Sequence, residues 1–218
     1  MSGLRLEIDL DKVGDNARAL VDRAALRSIS ITAVTKAMLG SPDLAHVLVG
    51  AGAASLGDSR IENIERMRRA GLDEPMVLLR SPPLSQVDGV VQAGTMSLNT
   101  ETEVLTALAA AARAAGRVHD VMLMVELGDL REGVMPEQLN ETVRHVLSLP
   151  SLRLRGIGTN LACRSGIEPS AENMAELSAL VDSTEATFGI EIEIVSGGRS
   201  EEHTSELQSP MSRVCRLL

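Results

Sequence analysis

Ile29-Ser30-Ile31-Thr32-Ala33-Val34-Thr35-Lys36-Ala37-Met38-Leu39-Gly40 is an apolar, β-branched run with a lysine at its tip. A short apolar run bounded by turn residues predicts a buried strand over 29–34. Gly40-Ser41-Pro42 then predicts a helix start, because proline is pre-set for the first turn. Lys36 is thereby delivered to one rim of a sheet by a rigid element, where a catalytic lysine would sit.

The cadence continues outward from this run. Upstream, alternation over 4–9 predicts a short strand, and Asp11 is a candidate cap for a helix carrying Val13, Ala17, Leu20, Val21 and Ala24 on one face. Downstream, strands are predicted over 53–57, 75–79, 95–98, 118–127, 152–159 and 190–195, ending near Arg60, Arg80, Asn99, Gly128, Asn160 and Ser196. Helices are predicted between them, over 42–49, 60–70, 84–93, 100–116, from Pro136 onward and over 171–188. Ser59 with Glu62, and Thr100 with Glu103, have capping-box spacing. Leu139, Val143, Val146 and Leu147 make an inward face on the helix that follows Pro136. Strands separated by helices are parallel, and parallel sheets are covered on both faces, which explains unbroken apolar runs such as Val121 to Val125. Setting aside the N-terminal strand, the count is seven β/α units of the eight in a closed α/β TIM-type barrel, so the expectation is a barrel without its closing unit.

Composition bounds the function. The 218 residues are 44% hydrophobic with a formal charge of -9, and the basic residues form no run. Nucleic-acid and anionic-membrane partners are therefore not expected. Neither a signal peptide nor a membrane span is visible, and the expected location is cytoplasmic. Two cysteines, Cys163 and Cys215, and four scattered histidines provide neither a disulfide framework nor a metal centre. Phe188 is the only aromatic residue, with no Tyr or Trp. Ring stacking on bases and chemistry through a tyrosine hydroxyl are excluded within these residues.

The domain organisation read from this pattern is one barrel domain over 1–198 and a tail over 199–218. Arg199 to Ser209 is polar, lacks a core face, and resembles the in-frame translation of a sequencing-library adapter. On that reading the chain is a fragment, and His203 and Cys215 carry no functional information.

Lys36 is the leading chemical candidate: an amine held at a barrel rim and partly desolvated becomes available to condense with an aldehyde. The alternative is an ordinary exposed lysine after a strand. Ser196-Gly197-Gly198 follows a late strand, where barrels of this class bind phosphate through accessible backbone N–H groups; the alternative is a turn. Arg131, in Gly128-Asp129-Leu130-Arg131-Glu132-Gly133, offers a guanidinium fork for a carboxylate or phosphate. Arg60, Arg80 and Asn160 also sit at strand ends.

Val34 to Ala37, Leu56 to Asn63, Glu126 to Gly133, Gly156 to Asn160 and Ser196 to Gly198, in that order, resemble the alanine/ornithine racemase family, the fold-type III pyridoxal-phosphate enzymes. The blocks Asp58-Ser59-Arg60-Ile61-Glu62-Asn63 and Gly128 to Gly133 look nearest to the ornithine racemase branch. The resemblance implies a PLP-dependent amino-acid racemase acting on a small or basic amino acid, a homodimer in its full-length form. It implies pyridoxal 5'-phosphate bound covalently through Lys36, which also moves a proton on one face of the substrate. Arg131 would lie near the cofactor's phenolic oxygen and the substrate carboxylate, Asn160 near the ring, and Ser196, Gly197 and Gly198 at the phosphate, with Arg60 as a further cofactor contact. The chain departs from alanine racemases in lacking the tyrosine that follows the lysine and the opposite-face tyrosine base. It also lacks their C-terminal β-domain and last barrel strand, so this chain by itself is expected to be inactive. Two rival readings remain: a non-catalytic pyridoxal-phosphate homeostasis protein using the same lysine, and a Schiff-base barrel aldolase, which the early position of Lys36 disfavours.

Overall fold

The computed structural model describes residues 7–128, 130, 132–161, 170–197 and 214–217. Helix α1 (Leu10–Ala25) leads into strand β1 (Ser30–Val34), followed by α2 (Pro42–Gly50), β2 (Ser55–Asp58), α3 (Ile61–Arg69), β3 (Met76–Leu78) and α4 (Val87–Gln92). Then come β4 (Met96–Asn99), α5 (Thr102–Ala114), β5 (His119–Val125), α6 (Leu139–Leu147), β6 (Leu152–Thr159), α7 (Ala171–Phe188), β7 (Ile194–Ser196) and β8 (Val214–Leu217). Short 3₁₀ turns at Lys36–Met38, Leu84–Gln86 and Pro136–Gln138 precede α2, α4 and α6.

Strands β1 to β7 are parallel neighbours in chain order, as the seven-unit cadence requires. The eighth place, expected to be empty, is taken by β8, which pairs parallel with both β7 and β1 and closes the ring. A corrected strand count follows: a four-residue piece of the segment set aside as a tail satisfies backbone groups that two open edges would leave unpaired. The expected strand at 4–9 is not observed at its described end: residues 7–9 are irregular, and residues 4–6 lie outside the description.

Two apolar layers hold the barrel. Outside the sheet, Leu56, Leu78, Leu123 and Ile157 pack against Ile64, Met67, Leu108 and Val143 of the helices, all essentially without solvent contact. Inside, Val77, Leu98, Met122 and Met124 form a separate cluster joined by Leu79, Met96 and Ile194. The lumen keeps a cavity of about 260 Å³ bordered by Ser30, Thr32, Met122 and Arg155. At the opposite rim from Lys36, Arg153 bonds to Asp120 at 2.8 Å, and Arg155 pairs with both Asp120 and Glu193. That charge network joins β5, β6 and the entry to β7 at the face where barrels invest in stability.

Caps differ from the expected ones because a cap depends on local geometry that spacing alone does not specify. Asp9, not Asp11, accepts from the Lys12 amide and caps α1. Neither predicted capping box forms at α3 or α5, where Arg60 and Glu101 are the boundary residues and make no side-chain cap. A capping box does form at Ser170 with Asn173. Leu20 and Leu147, assigned inward, are 40% and 44% exposed, since each lies at the edge of its helix's apolar stripe.

On the helix side of the sheet, Asn99 Nδ2 donates to Ser97 Oγ at 3.0 Å, and the Ser97 hydroxyl and His119 Nε2 share a hydrogen bond at 2.9 Å. His119 is 3% exposed. Burial pushes its pKa down from 6.5 to about 4, with the neighbouring Asp120 charge pulling weakly the other way. The unfolded chain therefore binds a proton that the folded chain refuses as pH falls from about 6.5 toward 4, and stability declines over that window. We expect urea midpoints to reveal roughly 2–3 kcal/mol lost between pH 7 and pH 4.5 through this group. The same titration on His119→Gln isolates that share; an unchanged slope in the variant would assign the acid sensitivity elsewhere.

Candidate active site

Parallel strands deliver all their carboxyl ends to one rim, so the residues singled out at strand ends share a mouth. Lys36 is the first residue of the 3₁₀ turn after β1. Its side chain is exposed and makes no hydrogen bond or ion pair with any described residue. The turn itself is tightly held. The Thr35 carbonyl accepts from the Met38 and Gly40 amides, and the Leu39 amide donates to the Lys36 carbonyl. From outside, Arg66 Nη1 donates to the Leu39 carbonyl at 2.6 Å. Gly40 lies at φ +62° against Asn63, where a Cβ would come within 2.7 Å of the Asn63 Cβ. That position demands glycine both for its backbone angle and for the close approach.

The loop after β5 is anchored at its root by Glu126, whose carboxylate accepts from the amides of Gly128 and Leu130. Gly133 returns directly over the Glu126 backbone, with room for no Cβ. Asn160, at the end of β6, donates to the Glu132 carboxylate at 3.3 Å, so the tips following β5 and β6 are joined. Arg131 adjoins this contact in sequence but lies outside the described residues, as do Gly198 and Cys163. Ser196 is buried at the end of β7 and borders the lumen. Gly197 abuts Met174 of α7, whose sulfur would lie 2.8 Å from an added Cβ.

Arg60 and Arg80 meet on a separate cleft of about 440 Å³ at the outer edge of the same rim, with Leu39, Asn63 and Arg66. The structure thus brings Lys36, Asn160, Ser196 and Gly197 to one mouth and sets Arg60 at its margin beside Arg80. Two residues without an assigned role in the sequence reading organise this rim: Asp58 and Glu126. The signal for Asp58 was present, since an aspartate two residues before a helix entry forms a local turn by accepting that residue's amide, here Arg60 N at 3.0 Å. Among the described residues no group of three or more His, Cys, Asp or Glu is placed to hold a metal ion. No helix among them is long and apolar enough to cross a membrane.

The alanine racemase N-terminal domain family matches residues 8–214. Ornithine racemase of Acetoanaerobium sticklandii is 34% identical over 197 residues, covering 90% of this chain and 55% of the relative. Lysine racemase of Thermotoga maritima is 37% identical over 196 residues, covering 90% and 54%. The chain therefore spans about half the length of the curated relatives it matches. In fold it is similar to alanine racemase of Corynebacterium glutamicum, with a TM-score of 0.81 at 18% identity, over 96% of this chain and 60% of that one. A family match over nearly the whole barrel, with the lysine-bearing turn at its first strand, leads to one statement: this chain belongs to the alanine racemase N-terminal domain family.

Proposed function

We propose that the full-length protein is a PLP-dependent racemase of a basic or small amino acid, of the ornithine, lysine or alanine type, and that residues 1–198 carry the cofactor half of its site. One observation supports this above others. The chain holds only two lysines, Lys12 and Lys36, among its 21 basic side chains. Lys12 is spent on an ion pair with Asp9 at 3.0 Å, whereas Lys36 stands unpaired at the barrel mouth. Arginine serves for charge elsewhere, but only an amine can lose its proton and attack a carbonyl.

The residues fit pyridoxal 5'-phosphate. Lys36 would hold its aldehyde carbon, the backbone at Ser196, Gly197 and Gly198 its phosphate, Asn160 its ring, and Arg60 a peripheral contact. When bound, the cofactor supplies an electron sink that stabilises negative charge at the substrate's Cα. Lys36 would carry the proton to or from that carbon on one face, and Arg131 would orient the substrate carboxylate. The Ser196 hydroxyl makes no hydrogen bond with any described residue, which leaves it available to an anion, while its backbone is held in the β6–β7–β8 ladder. An opposite-face base is not a tyrosine of these residues, which contain none; the 218-residue chain alone is accordingly inactive on this reading. The expectations of a homodimer and of a cytoplasmic location rest on the resemblance and on composition.

The alternative, a cofactor-holding protein without turnover, is favoured by the same lack of tyrosine. Incubating the full-length gene product and PLP with single enantiomers of ornithine, lysine and alanine, with chiral chromatography as readout, separates the two. The racemase reading expects inversion of at least one; none, with Lys36 labelled by the cofactor, selects the binding protein.

A further inference from the structure

Asp58 is fully buried at the end of β2, and its carboxylate gathers three donors. Oδ2 accepts from the Thr35 hydroxyl at 2.8 Å, and Oδ1 accepts from the Arg60 amide at 3.0 Å and from Asn63 Nδ2 at 2.9 Å. Each donor belongs to a different part of the rim. Thr35 immediately precedes Lys36, Arg60 is the boundary residue of α3, and Asn63 is the side chain against which Gly40 closes. With Arg66 bonded to the Leu39 carbonyl, every side-chain tie on the turn 35–40 from a described residue comes from the β2–α3 segment. Among the described residues the Lys36 side chain has no tie of its own, so what is fixed beneath it is the backbone of the turn that this clamp holds.

We infer that Asp58, acting through Thr35, is a positioning residue that sets the presentation of the Lys36 amine to a carbonyl ligand. The inference rests on the assignment of Lys36 as the cofactor lysine. A buried carboxylate with three hydrogen bonds is costly to leave short of a partner, and the geometry it enforces extends one residue, to Lys36. The Thr35 hydroxyl lies 3.3 Å from the Gly57 carbonyl as well, which keeps its rotamer directed toward β2. The role does not require Asp58 to touch the cofactor.

The chain provides its own control, because Lys12 is the single other lysine and lies exposed on α1. Wild-type protein, Thr35→Val, Thr35→Ser and Asp58→Asn are mixed with pyridoxal 5'-phosphate and reduced with borohydride. Labelling at Lys36 and Lys12 is then quantified by peptide mass spectrometry, beside circular dichroism melts. Thr35→Val preserves shape and removes the hydroxyl, so the Lys36-to-Lys12 labelling ratio is expected to fall about tenfold. Thr35→Ser restores it, and Asp58→Asn lowers it. A purely structural clamp predicts a lower melting temperature with an unchanged ratio in protein that remains folded, and that result overturns the inference. Wild-type protein labelled no more at Lys36 than at Lys12 instead overturns the assignment of Lys36 itself.

Discussion

Lys36→Ala is expected to eliminate covalent capture of pyridoxal 5'-phosphate at the barrel mouth and, in the full-length protein, to lower racemisation by at least 10²–10⁴-fold, the usual span for losing a proton-transferring side chain. The structure supports a large effect. Within these 218 residues no second lysine lies near the rim to substitute, since Lys12 is on α1 and paired with Asp9. Lys36→Arg keeps the positive charge but is expected to be as inactive, because a guanidinium stays protonated and does not condense with an aldehyde. Neither change is expected to move the melting temperature appreciably: the side chain is exposed and bonded to nothing described. The check is borohydride trapping together with chiral chromatography on the same preparations. Turnover within tenfold of wild type in either variant would remove Lys36 from the chemistry.

Gly158→Val is the substitution expected to do most damage to the frame that presents the phosphate segment. Gly158 is registered against Ser196 across β6 and β7. A Cβ there would come within 2.9 Å of both the Ser196 Cβ and its carbonyl oxygen, and 3.3 Å from the Met122 sulfur. The methionine can bend aside, but a paired strand backbone cannot do so without giving up its ladder. We expect a loss of roughly 2–3 kcal/mol, read as a melting temperature about 4–12 °C lower, and weaker retention of pyridoxal phosphate because Ser196 and Gly197 move with the strand. Gly50→Ala is the matched control. Gly50 ends α2 with nothing near its missing Cβ, and that change is expected to be neutral or slightly stabilising. Equal stability of Gly158→Val and wild type would mean that β6 and β7 are not as closely apposed as described.

Much of this was legible in the chain. The runs at 152–159 and 171–188 became β6 and α7 at the same bounds, because a strand that opens on Leu-Arg alternation and a helix closed by Gly189 in the left-handed region announce themselves locally. The lysine turn was legible for the same reason: an apolar strand, one lysine and Gly-Ser-Pro follow in immediate succession. Caps and edges were harder to read. Whether Asp9 or Asp11 turns its carboxylate to an amide, and whether Ser59 or Asp58 secures the entry to α3, depends on backbone angles that the spacing of residue types does not encode.

Periodicity and turn chemistry act within a dozen residues, so the sequence by itself determined the order of strands and helices, the parallel class of the sheet and the emergence of Lys36 at a strand's carboxyl end. Tertiary structure alone decided what holds that lysine's turn. Thr35 and Asp58 are 23 residues apart, and Arg66 reaches a carbonyl 27 residues away. It also decided that a strand from 214–217 completes the ring. Such partners are chosen when loops close and edges seek hydrogen bonds, and a donor or acceptor read in isolation does not say which distant group it will meet.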